Sequence, residues 1–185
     1  MSLVMRSDCS RSWYYPLQKG VYMDGLSGMS VREFLHEVLR FDDAYIESTV
    51  RTIFLNNSPV DDIDATLLKD GDRMALGSAM PGLVGIVMGR DNPFKSFRSD
   101  ISAQGGGREK ESRPITVSVK LFSSLAAESG VAVLAQGVSV DARLLADFLA
   151  DKTDCIIDAD GKGGEAFVEG LKGREDKIRI SVVFK

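Results

Sequence analysis

An α+β protein of two small domains is what this sequence predicts, and three observations carry that expectation. The chain has 185 residues, which at about 100–200 residues per domain allows one domain or two small ones. Each half alternates between segments of period two and segments of period 3.6, the signatures of strand and of helix. Between the halves, from Arg90 to Pro114, lie Asn92-Pro93, Gly105-Gly106-Gly107 and the charged run Arg108-Glu109-Lys110-Glu111, with no apolar periodicity. The resulting plan is a disordered start at 1–12, a first domain at 13–90 with an apolar extension at its end, a linker at 91–113 and a second α+β domain at 114–185.

In the first half, Trp13-Tyr14-Tyr15-Pro16-Leu17 reads as an aromatic strand that turns at Lys19-Gly20 into Val21-Tyr22-Met23. Ser30 and Glu33 have the spacing of a capping box, and Val31, Phe34, Leu35, Val38 and Leu39 follow at helical intervals. Val50 to Leu55 is a strand closed by Asn56-Asn57-Ser58-Pro59, and Arg73 to Leu76 is another after the Asp70-Gly71 turn.

In the second half, Val117, Val119 and Leu121 alternate with Thr116, Ser118 and Lys120, which gives a strand with one buried face. A helix over Phe122–Leu134, interrupted at Gly130, leads to the strand Val138–Val140. Asp141 then caps a helix with Leu144, Leu145, Phe148 and Leu149 on one face. Cys155–Ile157 reads as a strand, Asp158–Gly164 as a turn, Glu165–Leu171 as a short helix and Lys177–Phe184 as a last strand. Leu68–Met74 can be set over Leu171–Ile178, and Phe34-Leu35…Val38-Leu39 over Leu144-Leu145…Phe148-Leu149. Either duplication or chance accounts for that likeness.

Three segments carry a family resemblance: Met29-Ser30-Val31-Arg32-Glu33-Phe34-Leu35, Phe54-Leu55-Asn56-Asn57-Ser58-Pro59-Val60 and Leu68-Lys69-Asp70-Gly71-Asp72-Arg73-Met74. They resemble the helix entry, the strand and turn, and the entry to the last strand of ubiquitin-like β-grasp proteins. The branch is the one containing the thiamine-pathway sulphur carrier and the small subunit of molybdopterin synthase. Lys120-Leu121-Phe122-Ser123-Ser124-Leu125, with Gly130, resembles the same family's first strand and loop. The resemblance implies a β-grasp first domain and a diverged β-grasp repeat as the second. Those carriers end in Gly-Gly, whose free carboxylate is adenylated and converted to a thiocarboxylate. Here the corresponding place reads Ala79-Met80-Pro81-Gly82-Leu83-Val84-Gly85 and the chain continues. Carrier chemistry would therefore need cleavage within Gly105–Gly107.

Composition excludes much else. Two cysteines, Cys9 and Cys155, and one histidine, His36, cannot build a zinc or iron–sulphur site, so no metal and no cofactor is expected. The cysteines read as reduced thiols, with Cys155 a small buried hydrophobe in a strand, and His36 reads as solvated on the polar side of its helix. Asp158-Ala159-Asp160-Gly161 lacks the first and twelfth ligands of a calcium loop, and Asp61-Asp62-Ile63-Asp64 reads as an exposed turn. No glycine fingerprint for nucleotide binding is present. Arg90, Lys95 and Arg98 with Phe94 and Phe97 form a small basic-aromatic patch, yet neither half is basic and the pI is near 5.1, which opposes nucleic acid. The first dozen residues lack the apolar core of a signal peptide. The longest apolar run is about half of the ~20 residues a membrane helix needs, so a cytoplasmic location without membrane contact is expected.

What remains is an apolar segment too large for one small core: Met80, Leu83, Val84, Ile86, Val87 and Met88. These are the candidate partner-binding residues. The expected function is a non-catalytic binding or scaffold protein that recognises a protein partner, or a second copy of itself, through this segment or a β-grasp sheet edge. The alternative is a sulphur-carrier-like precursor processed at 105–107 for cofactor biosynthesis.

Overall fold

The chain contributes its two ends to one unit and its middle to another. A terminal unit is built from Met1–Tyr22 and Ala126–Lys185, and a central unit from Met23–Leu125. The computed structural model describes all residues except 80, 81, 91, 92, 94–102 and 104–112, and except the side chains of 83, 84 and 86. The fold is mixed α+β. Among the described residues no helix is long and apolar enough to cross a membrane.

In the central unit the predicted helix begins at Ser30, whose Oγ accepts from Glu33 N (3.1 Å) while Glu33 Oε2 accepts from Ser30 N (2.6 Å). The N–H of the cap and one first-turn N–H are thus satisfied. Helix α2 (Val31–Glu33) widens into a π turn over Phe34–Val38, closed by the bond from Leu39 N to Phe34 O, and Val31, Phe34, Leu35 and Leu39 are buried on one side. Asp42 caps α3 (Asp43–Ser48) by accepting from Tyr45 N. Strand β3 (Thr52–Leu55) folds onto β4 (Ser58–Pro59) through Asn56 and Asn57, both at positive φ, the conformation a two-residue hairpin turn requires. Antiparallel to β3 on its other side runs β5 (Arg73–Gly77), which lies parallel to β6 (Pro114–Leu121). The part of β2 (Val21–Leu26) that belongs to this unit completes the order β4-β3-β5-β6-β2.

The linkage of β6 to β5 explains the Asp70-Gly71-Asp72 motif. Asp70 Oδ1 accepts from Thr116 N (2.8 Å), Gly71 N donates to Thr116 O (3.0 Å) and Ser118 N to Asp72 O (2.9 Å). Gly71 has φ +79°, which only glycine adopts without strain. The turn that opens β5 therefore also sets the register of β6.

In the terminal unit, β1 (Ser2–Met5) runs parallel to β9 (Lys177–Phe184) and antiparallel to β8 (Ile156–Ala159). On the other side of β9, β7 (Val138–Asp141) pairs antiparallel and is joined to the first residues of β2 at Tyr22 and Ser139. The order is β2-β7-β9-β1-β8. Helix α6 (Ala142–Leu149) starts where Asp141 Oδ1 accepts from Leu144 N (3.1 Å), and it buries Leu145, Phe148 and Leu149. Helix α5 (Ser124–Gln136), from Ala126 onward, and α7 (Gly164–Leu171) also belong to this unit.

Several expectations are corrected. Residues 1–12 are not a disordered start: they hold β1 and a 3-10 helix over Ser7–Trp13, with Leu3 and Met5 fully buried. Trp13–Leu17 is not a strand, because Tyr14–Lys19 forms helix α1. Aromatic propensity suggested the strand, but Trp13 and Leu17, four apart and both buried, share a helical face. Pro16 falls in the first turn, where its missing N–H leaves nothing unpaired. Gly130 does not interrupt α5, since the helix runs through it. A Cβ there would lie 2.5 Å from Leu17 Cδ1, so the glycine marks a close approach. The division between units also falls elsewhere than at 13–90 and 114–185, because β6 lies in the central unit and β1 in the terminal one. Most of the expected linker, 91–113, lies outside the described residues.

Gly164 opens α7 where a Cβ would meet Thr153 O at 2.4 Å and Ile156 Cβ at 3.1 Å. Backbone cannot yield as a flexible side chain does, so Gly164→Ala is expected to destabilise the terminal unit by about 1–3 kcal/mol. A urea denaturation midpoint unchanged from the parent would contradict that packing.

Candidate functional site

The apolar segment proposed for partner binding begins outside the described residues at Met80 and continues as α4 (Gly82–Met88). The side chains of Leu83, Val84 and Ile86 also lie outside them. Gly85 is buried, and Val87 and Met88 are half-buried.

What anchors the segment is Arg90, two residues after its end. Arg90 is 4% exposed. Its Nε donates to Val50 O (3.1 Å), its Nη2 to Ile46 O (2.7 Å), and its backbone N to Arg51 O (2.7 Å). The guanidinium thus sits at the carboxy-terminal end of α3, where carbonyls lack helical partners and the helix dipole favours a cation. Glu47 Oε2 stands 3.6 Å from the same guanidinium. Arg90 therefore does not present its charge to the basic-aromatic patch suggested by the sequence, since its side chain is buried and its Nε and Nη2 donate to backbone carbonyls. Phe94, Lys95, Phe97 and Arg98 lie outside the described residues.

Glu47 links this clamp to a second arginine. Arg32, from the first turn of α2, reaches Glu47 (2.7 Å), Asp64 (2.6 Å) and Asp43 (3.5 Å). The hydrogen bond to Asp64, then that to Glu47, holds Arg32 firmly protonated, and the bond from Arg32 is the first cause that holds the Glu47 carboxyl below its ordinary 4.5. Glu47 therefore adds stability above its unfolded value, and that stability is lost as pH falls through the lower folded value. Because its side chain is half exposed, solvent screens the pair to about 0.5 kcal/mol. Acidification from pH ~6 to ~3 is expected to weaken the central unit, and Glu47→Gln to remove that share of the acid dependence. Equal acid sensitivity in the variant would contradict the assignment.

Asp61–Asp64 is a turn in which Asp62 Oδ1 accepts from Asp64 N and Ala65 N, and Asp64 is the partner of Arg32. Two surface depressions are also polar in part. One, of about 230 Å³, lies beside the β3–β4 turn, where the Asp72 carboxylate accepts from Asn56 Nδ2 and Lys69 N. The other, of about 330 Å³, lies between α6 and α7 against Thr153, Glu165 and Val168. Among the described residues no group of three or more His, Cys, Asp or Glu is placed to hold a metal ion. Asp158–Gly161 runs from the end of β8 into a tight turn, with Asp158 Oδ2 accepting from Gly161 N and Asp160 Oδ1 from Ser2 N. His36 is exposed.

The cysteines overturn their sequence reading. Cys155 is not a buried free thiol in a strand: it ends a 3-10 turn over Thr153–Cys155 and forms a disulfide with Cys9. The two are 146 residues apart in sequence, and only the placement of β1 beside β8 brings their Cα atoms to 6.2 Å. Sequence spacing carries no signal for such a pair.

A second surface, which the sequence did not single out, is the β8 edge of the terminal unit. Strand β8 is last in its sheet order, its Ile156 and Ala159 point inward, and Ile157 between them is 54% exposed. On the same side of the neighbouring strands stand Val4 and Val183, which are paired in register. Comparison of the chain with protein-family models, with curated proteins and with solved structures finds no match.

Proposed function

We propose that the chain is a non-catalytic binding or scaffold protein whose units are β-grasp-like and which recognises a protein partner or a second copy of itself. The observation that carries this reading is the β8 edge. An outermost strand offers its outer backbone groups to an incoming strand. Ala159 is already paired with Lys162, so the stretch that receives a partner is Ile156–Asp158, and Ile157 with Val183 gives that partner an apolar side to pack against. The helix α4 segment, with Leu83, Val84, Ile86, Val87 and Met88 after Met80, is the second surface of the same reading.

Support for the β-grasp likeness comes from strand direction. In the central unit β5 lies between an antiparallel β3 and a parallel β6, with α2 following β2, and these strand directions resemble those around the inner strand of a ubiquitin-like sheet, although the parallel neighbour here follows β5 in the chain. In the terminal unit β9 likewise lies between an antiparallel β7 and a parallel β1. This likeness is of fold and says nothing by itself about sulphur transfer.

Native mass spectrometry of the full chain tests the proposal, with Ile157→Asp and Leu83→Asp/Val87→Asp as separate variants. A dimer or hetero-complex that dissociates at least ~10-fold more readily in one of the variants, whose far-ultraviolet spectra are unchanged, is the expected result. A monomer at every concentration, with no change in either variant, would remove both surfaces. A fragment ending in the Gly105–Gly107 run and heavier by an oxygen-to-sulphur exchange would instead establish the processed-carrier alternative.

A further inference from the structure

We infer that the Cys9–Cys155 disulfide is a redox-sensitive latch that holds the arm Ser2–Trp13 in the terminal unit and releases it on reduction. The inference stands independently of the binding surfaces above. It rests on where the bond lies, between the 3-10 helix that follows β1 and the 3-10 turn that leads into β8, and on what the arm fills.

The arm supplies β1, which is an inner strand: β9 flanks it on one side and β8 on the other, and β8 has no other strand beside it in the sheet order. At the exit from β1 two backbone bonds fasten the arm, Arg6 N to Cys155 O and Ser7 N to Lys185 O, each 2.8 Å. The disulfide stands next to the first of these, so one covalent bond and one hydrogen bond join the arm to the turn that leads into β8. Farther along, Trp13 packs edge-on against Phe148 at 5.1 Å and donates its indole N–H to Met5 Sδ at 3.0 Å. Leu3, Met5 and Trp13 are all fully buried, so the arm is held by three apolar anchors and a ladder.

Both cysteines are half-buried, so an external thiolate can approach the bond without prior unfolding of the unit. Reduction consumes two electrons from a dithiol. One reductant thiolate attacks a sulphur of the bond and forms a mixed disulfide, releasing the other cysteine as a thiolate that takes up a proton. The reductant's second thiolate attacks its own sulphur in the mixed disulfide, leaving a cyclic reductant disulfide and a second cysteine thiol. Oxidised glutathione reverses the exchange. Once the bond is open, α1 is the arm's remaining covalent tether, so its ladder and anchors alone must hold it against β8 and β9. Departure of β1 removes from β8 its neighbour in the described sheet order and bares the Ser181–Phe184 edge of β9.

Trp13 is the sole tryptophan of the chain, so its emission reports the arm and nothing else. The full chain is equilibrated with oxidised glutathione, the loss of two hydrogens is verified by intact mass, and dithiothreitol is then added. Reduction is expected to shift Trp13 emission to the red and to speed trypsin cleavage after Arg6 and Arg11 at least ~10-fold, while amide exchange in β7 and α6 stays protected. Re-oxidation restores both signals. A Cys9→Ala/Cys155→Ala chain is expected to behave as the reduced protein with or without dithiothreitol, and the wild-type comparison stands by itself should that chain fail to fold. Two free thiols after glutathione treatment, unchanged emission and cleavage on reduction, or loss of protection throughout the terminal unit would each overturn the latch.

Discussion

Replacing Trp13 by alanine is expected to destabilise the terminal unit by about 3–5 kcal/mol, the range for emptying a fully buried aromatic site. Trp13 is 0% exposed and contacts two aromatic rings, Phe148 at 5.1 Å and Phe184 at 6.5 Å, both edge-on. It also carries the hydrogen bond to Met5 Sδ, a weak acceptor whose loss adds little by comparison. The cavity would adjoin three segments distant in sequence, so no single one can collapse to fill it. A urea midpoint for the terminal unit, followed by amide exchange of β7 and β9, measures the effect. Trp13→Phe should recover much of the loss, because it keeps an aromatic ring in the site. A Trp13→Ala midpoint within error of the parent would mean that the arm is not packed as described.

Arg90→Met is expected to cost the central unit about 2–4 kcal/mol, more than its apolar contacts would suggest. Methionine fills much of the same volume but leaves the carbonyls of Ile46 and Val50 without the donors that now reach them, and it removes one cation from beside Glu47. The loss should be local first, as faster amide exchange in Asp43–Ser48, and global second, as a lower urea midpoint. Arg90→Lys keeps the charge, yet a single ammonium cannot reproduce the fork that spans both carbonyls, so it should recover only part of the stability. Equal exchange rates in α3 for the parent and Arg90→Met would sink the clamp.

Elements whose signals are local in the chain were readable from the sequence. The Ser30–Glu33 capping box, the Asp141 cap, the Asn56-Asn57 turn and the alternation along β6 and β9 each depend on residues within a few positions of one another, and each stands where the sequence placed it. Local reading failed where a distant neighbour decided the outcome. Trp13–Leu17 has strand-like composition, but burial of Trp13 and Leu17 on one side made it helical. Gly130 looks like a helix break until Leu17 is seen against it. Arg90 looked like surface charge, because its carbonyl partners lie 40 and 44 positions earlier in the chain.

By itself the sequence determined the α+β class, most of the elements and their buried faces, because hydrophobic period and capping chemistry act over one or two turns. Only the tertiary structure decided which strands are neighbours. It placed 114–121 beside 73–77 and residues 2–5 between 156–159 and 177–184, and with the second of these it brought Cys9 to Cys155. Strand pairing joins backbones that are alike in every residue, so partner choice rests on long-range packing of Leu3, Met5 and Trp13, which no local pattern in the chain records.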